Sequence, residues 1–145
     1  MHSHDGRKLR LETGHRACAS HAQEVHREGA LSIVRGPAMH GRITHYAVLE
    51  GIPVAYCAGS DERHPSGRRF VIDATFVHPA HRRKGIAKAM YRAIIDTGTT
   101  LVSDWDLSEG AHHLWASLMR DEPMRDVIHF QDGYVARRRS KGTAT

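Results

Sequence analysis

The sequence is poor in cysteine, in aromatic residues and in long apolar runs. Among 145 residues it has two cysteines, Cys18 and Cys57, and aromatics make up 6%. Two cysteines without metal-type spacing make neither a disulfide framework nor a zinc motif, so no metal is expected and a reducing cytoplasm is the expected compartment. They read as small core residues. No stretch approaches the roughly 20 apolar residues of a membrane-spanning helix, so no membrane partner is expected. The opening residues Met1-His2-Ser3-His4-Asp5-Gly6 lack the apolar centre of a secretory leader. No repeat or linker divides the chain. It reads as one domain over residues 1–145, with a flexible basic tail at 137–145.

What the sequence does have is positive charge. The formal net charge is +5, with 13 histidines besides. That balance suits an anionic partner, and a nucleic acid, a phosphorylated cofactor and simple solubility all fit it. Arg137-Arg138-Arg139 has no interleaved aromatics, which disfavours nucleic acid. The histidines are scattered. His112 and His113 would point about 100° apart on a helix, so the histidines read as surface decoration.

Periodicity gives a mixed order of elements. Residues 8–12 read as a short strand and 13–28 as a helix, while 31–34 is a strand or an extended connector. Strands are expected over 43–50 and 52–58, joined at Glu50-Gly51, with a loop over 59–67. Residues 69–77 are the clearest strand, rich in Val, Ile, Phe and Thr, and His78-Pro79 ends it. Ile86, Ala89, Met90, Ala93 and Ile94 form one buried helical stripe. Residues 99–103 make a further strand. A second helix over 108–119 carries Ala111, Leu114, Trp115, Leu118 and Met119 on one face, with Ser108 as N-cap. Residues 127–136 suggest a closing hairpin broken at Asp132-Gly133. This order predicts an α/β or α+β fold, a mixed sheet with helices on its faces.

One segment carries chemistry. A buried strand runs into the basic loop Arg82-Arg83-Lys84, and a helix opens at Gly85. A helix start leaves several backbone N–H groups unpaired at the positive end of the macrodipole. An anion there accepts several hydrogen bonds at once. Gly85 and the small Ala87 allow a ligand close to the backbone. The physics predicts a phosphate or pyrophosphate site.

Arg82-Arg83-Lys84-Gly85-Ile86-Ala87 resembles the Arg/Gln-x-x-Gly-x-Gly/Ala signature of the GNAT superfamily of N-acetyltransferases. Val77-His78-Pro79 is similar to that family's Val-x-Pro, and Ala89-Met90 to its small-then-apolar helix. Ser108-x-x-Ala111-x-x-Leu114-Trp115-x-x-Leu118 resembles the family's Asn-x-x-Ala-x-x-Leu-Tyr-x-x-Leu helix. Ser103-Asp104 and Ser108-Glu109-Gly110 are also similar to small acetyltransferase-like proteins of phages. Together the two main stretches span residues 69–120.

The resemblance implies a mostly antiparallel sheet that splays after the central strand, with acetyl-CoA as cofactor. Backbone groups of Phe76 and Val77 would take the pantetheine arm. Arg82, Arg83, Lys84, Gly85, Ile86, Ala87 and Lys88 would hold the pyrophosphate, and Trp115 would be core or cofactor-wall packing. It implies transfer of an acetyl group to an amine, whose proton a base must remove. Asp73 is the candidate base, with Asp104 and Asp106, just past the next strand, as rival acids. Strand alternation would put Asp73, Thr75 and Val77 on one face; the alternative for Asp73 is a pair with an arginine. Trp115 stands where the family has the tyrosine that protonates the leaving thiolate, and an indole N–H supplies no proton at useful pH. Ser108, His112 and Tyr134 are the substitutes in sequence, unless the chain is a non-catalytic acyl-CoA-binding module. Acceptor specificity is expected in 13–42 and 59–68, where Asp61 and Glu62, with Asp104 and Asp106, hint at a cationic acceptor. The oligomeric state is open, and a homodimer is compatible.

Overall fold

The computed structural model describes residues 4–18, 21–65, 67–104, 107–121, 125–130 and 133–138. Its elements are α1 (His4–Cys18), β1 (Gln23–Glu28), β2 (Leu31–Arg35), β3 (Arg42–Leu49), β4 (Ile52–His64) and β5 (Gly67–Val77), then α2 (Ile86–Asp96), β6 (Thr100–Val102), α3 (Glu109–Asp121), β7 (Arg125–Phe130) and β8 (Gly133–Arg138). The eight strands form one sheet in the order β1-β2-β3-β4-β5-β6-β8-β7. Only the β5–β6 pair is parallel. The expected mixed, mostly antiparallel sheet with flanking helices is therefore found.

The beginning of the chain departs from the sequence reading. Residues 8–12 are helical, and 23–28 are a strand. Helix α1 carries two glycines, Gly6 and Gly14, and little apolar surface, which weakens both propensity and pattern. Strand β1 is an edge strand of sequence Gln-Glu-Val-His-Arg-Glu. Charge on an edge is a device against unwanted pairing, and it hides the apolar alternation that marks a strand. The expected loop over 59–67 is also corrected. Strand β4 continues to His64 and pairs with β5 down to Gly67. Asp132 and residues 139–145 lie outside the described residues, as do Asp106 and the side chain of Cys18; Arg137 and Arg138 belong to β8.

The sheet is covered on both faces. On one face α2 packs through Ile86, Met90 and Ile94, and α3 through Trp115 and Leu118, against Ile33, Cys57, Phe70 and Ile72. On the other face Leu11 of α1 is buried with Tyr46, Tyr56, Ala58 and Phe76. His15, one turn on from Leu11, meets Tyr46 edge-on at 5.5 Å. Apolar burial of this kind stabilises by about 25 cal/mol per Å².

Strand β5 contains the irregularity that shapes the centre of the molecule. Its ladder with β4 steps from Ala58–Ala74 to Gly59–Ile72, which leaves Asp73 as the extra residue of a bulge. A bulge reverses the alternation beyond it. Ile72 packs in the α2–α3 core, and Thr75 reaches Tyr91 of α2, so residues three apart share a face. The expectation that Asp73 simply shares a face with Thr75 and Val77 fails at this bulge. Gly59 sits opposite it, and a Cβ there would stand 2.1 Å from the Val71 carbonyl oxygen. Only glycine lets the strands approach so closely.

Candidate active site

Strands β5 and β6 pair only through Arg69–Thr100, Phe70–Leu101 and Val71–Val102. Beyond Val71 they part, so β5 presents an open edge on that side. This is the splay implied by the resemblance. Two cavities lie in and beside the opening. The larger is about 590 Å³ and is lined by Val77, His81, Arg82, Arg83, Gly85 and Ala87 among others. The smaller is about 220 Å³ and is lined by Asp73, Asp104, Leu107 and Trp115 among others. Arg7, Thr75, Tyr91, Ser108 and Ala111 line both. They form the neck between the two spaces.

The larger cavity faces the start of α2. Its N-cap, Gly85, has φ +75° and no capping side chain. Ala89 N–H bonds the Gly85 carbonyl at 2.9 Å, which is the first α-helical bond of the turn. Arg83, two residues earlier, also has positive φ, at 63°. A left-handed non-glycine residue costs of order 1 kcal/mol and is typical of functional loops. A Cβ added at Gly85 would meet nothing within 4 Å, so the space before the helix start is open. His81 adds a buried Nδ1 without a hydrogen-bond partner. An uncapped helix start and a rim of arginines fit a diphosphate.

The basic side chains differ in what they can do. The Arg82 guanidinium donates through Nε to the Val77 carbonyl at 3.1 Å and lies 6.0 Å from the centre of the Phe76 ring. Arg83 and Lys84 are exposed. The Lys88 ammonium, on the wall of the larger cavity, is engaged by Ser117 and Asp121 on α3, both at 3.0 Å. Lys88, then Arg120 and Ser117, hold the Asp121 carboxyl down to about 2. Lys88 therefore clamps α2 to α3. Phe76 is buried on the α1 side, so only its backbone can face a ligand. Ile86 is buried as well.

Trp115 does not line the larger cavity; of the two places expected for it, core or cofactor wall, it takes the core. It is 1% exposed and stacks parallel on Tyr134 with ring centres 5.4 Å apart. His112 Nδ1 lies 3.4 Å from the Tyr134 hydroxyl, and neither residue lines either cavity. Of the three expected substitutes for the missing tyrosine, only Ser108 reaches the neck. Its Oγ accepts from Ala111 N–H at 3.1 Å, as an N-cap should.

A phenol does stand at the neck, and the sequence reading missed it. Tyr91 is 2% exposed, and its hydroxyl lies 2.7 Å from Thr75 Oγ1. Burial first, then the neighbouring Cys57, pushes the phenol upward from its usual value, so it keeps its proton. Thr75 in turn donates to Cys57 Sγ at 3.6 Å. Burial pushes the Cys57 thiol up to about 12, so it is no nucleophile. Tyr91 lies four residues after Ala87, one turn along the helix face that opens with the glycine motif. That spacing was the available signal. His81 and Arg7 were missed too, one by treating the histidines as decoration and the other by mistaking α1.

The acids separate into two kinds. Asp73 is ion-paired with Arg42 of β3, the alternative left open for it. Asp61 is held between Arg35 at 3.2 Å and Arg68 at 3.0 Å, away from both cavities. Asp104 lies in the smaller cavity, near enough to Tyr91 to act on its phenol.

No helix among the described residues is long and apolar enough to cross a membrane. No curated protein sequence matches the chain. Among solved structures it is similar to Arabidopsis thaliana Naa50 in complex with a bisubstrate analogue, CoA-Ac-MVNAL, at 15% identity over 64% of this chain and 70% of that one, TM-score 0.47. It is similar to a ribosomal-protein-alanine N-acetyltransferase from Brucella melitensis biovar Abortus 2308 at 26% identity over 54% and 62%, TM-score 0.48. A third likeness is to an aminoglycoside acetyltransferase from an uncultured soil metagenomic sample, at 21% identity over 64% and 66%, TM-score 0.45. In the last two the chain covers less than two thirds of the matched protein. These partial likenesses add nothing to a stronger match, that of the acetyltransferase (GNAT) family profile to residues 11–123. The chain thus belongs to the acetyltransferase (GNAT) family, whose acyl donor is acetyl-CoA.

Proposed function

We propose that the protein moves the acetyl group of acetyl-CoA to an amine, with its diphosphate against residues 82–87 and the amine entering through the smaller cavity. The observation that carries this reading is the uncapped start of α2, open to a cavity that runs on into the split between β5 and β6. Backbone N–H groups of the first turn of α2, with Arg82 and His81, would bind the diphosphate. The open edge of β5 at Phe76 and Val77 would take the pantetheine arm as an added strand takes a ladder.

Acetyl-CoA supplies an activated acyl carbon, and the reaction needs only an amine lone pair and two proton movements. Asp104 is assigned the amine's proton, directly or through one water. Asp73 is assigned a supporting role, because Arg42 already neutralises it. The Tyr91 phenol is assigned to the leaving sulfur, which takes the bonding electron pair as C–S breaks. The sulfur receives a proton from Tyr91, and the proton shed by the amine restores the phenol. Atoms balance as amine plus thioester giving amide plus thiol. Ser108 is assigned to shaping the neck, since its Oγ is engaged as a cap.

The test is release of free CoA from acetyl-CoA across an amine panel, followed by mass measurement of the product. Rapid release with an added acetyl group on the amine is expected. Binding of acetyl-CoA without turnover on any amine would leave the non-catalytic acyl-CoA module instead.

A further inference from the structure

Arg7 is the one neck residue whose charge is unaccounted for. It lies on α1, one turn before Leu11, on the same helix face that Leu11 and His15 press against the sheet. Leu11 is 1% exposed and fixes that face. Arg7 is half-buried, lines both cavities, and has no ion-pair or hydrogen-bond partner among the described residues. Two acids, Asp73 and Asp104, line the smaller cavity with it. Asp73 pairs with Arg42, and Asp61 is shared by Arg35 and Arg68.

A half-buried guanidinium without a partner is costly, and its planar fork of N–H donors matches a carboxylate bidentately. The smaller cavity thus offers one unpaired cation, Arg7, and one carboxylate, Asp104, across a space of about 220 Å³. A small molecule with both an ammonium and a carboxylate complements that pair. A purely cationic acceptor would leave Arg7 unanswered, and the hint of one in Asp61 does not survive, because Asp61 is neutralised away from the site.

Building on the acetyl-transfer reading, we infer that the acceptor is a free amino acid, with its carboxylate on Arg7 and its amine directed to Asp104 and the neck. Arg7 is then the residue that determines acceptor specificity.

The test uses the whole protein with saturating acetyl-CoA, the standard L-amino acids as probes, and each amino acid's α-carboxamide as its partner probe. The best amino acid is expected to exceed its carboxamide at least tenfold in kcat/KM. Arg7→Ala is expected to raise KM for the amino acid at least tenfold while leaving KM for the carboxamide and for acetyl-CoA within twofold. Arg7→Lys is expected to recover part of the loss. Since Arg7 bonds nothing among the described residues, the variants should keep the wild-type circular dichroism. Equal kcat/KM for acid and carboxamide overturns the inference and leaves acetyl transfer standing. So does an Arg7→Ala effect on the KM of acetyl-CoA alone, which would make Arg7 a cofactor ligand. Calorimetric binding of acetyl-CoA with no turnover of either probe class removes the acetyl-transfer reading, and this inference with it.

Discussion

The Tyr91 hydroxyl of α2 and the Thr75 hydroxyl of β5 meet at 2.7 Å in the neck shared by the two cavities. Trp115, at the position where the resemblance implied a tyrosine, packs against Tyr91 and Tyr134 instead. If Tyr91 handles the sulfur's proton, Tyr91→Phe should lower kcat roughly 100-fold, in the range general acid groups contribute. The KM of acetyl-CoA should stay within twofold, because the ring and its packing remain. Steady-state kinetics on the whole protein decides it; an unchanged kcat would assign the proton to water.

Asp104 and Asp73 both line the smaller cavity, but only Asp104 acts on the Tyr91 phenol, while Asp73 is ion-paired with Arg42 on β3. Asp104→Asn should therefore cost more turnover than Asp73→Asn, by about tenfold or more if Asp104 is the base. Equal losses in the two variants would contradict the assignment.

His45 is 5% exposed, edge-on to Phe70 at 5.0 Å, and its Nδ1 has no hydrogen-bond partner. Burial, then the nearby Arg35, pushes it down to about 4, against a weaker opposite pull from Asp61. Below its unfolded value near 6.5 the unfolded chain binds a proton that the folded chain refuses. Stability from this group is thus full above about pH 6.5 and falls as pH drops towards 4, by about 3 kcal/mol in all. Urea unfolding midpoints should show that slope in the wild type and lose most of it in His45→Gln. A variant with the same acid slope would place the effect elsewhere.

The sequence announced the centre of the fold and hid its edges. Residues 69–77 and 86–95 are apolar with clean periods because each is buried against two layers, so β5 and α2 stand out. The glycine motif is legible because an uncapped helix start beside a diphosphate demands small residues and positive charge at fixed spacing. Strand β1 and helix α1 gave no such signal, since Val25 is the only apolar residue of β1 and Leu11 the one large buried side chain described in α1. The bulge at Asp73 was unreadable because one extra residue changes facing without changing composition. Tyr91 was overlooked because a phenol within an apolar stripe looks like packing until its hydroxyl is seen against Thr75. Arg7 could not be placed without α1.

Calorimetric titration of acetyl-CoA into the wild-type protein and into Gly85→Val decides whether the diphosphate docks at the start of α2. Gly85 holds φ +75° with open space before it, so a valine there costs about 1–2 kcal/mol of backbone strain and fills the diphosphate's approach. Saturable binding by the wild type is expected, with at least a hundredfold weaker binding by a variant that still melts cooperatively. No wild-type binding at high micromolar acetyl-CoA, or equal affinity in the two proteins, would contradict that docking.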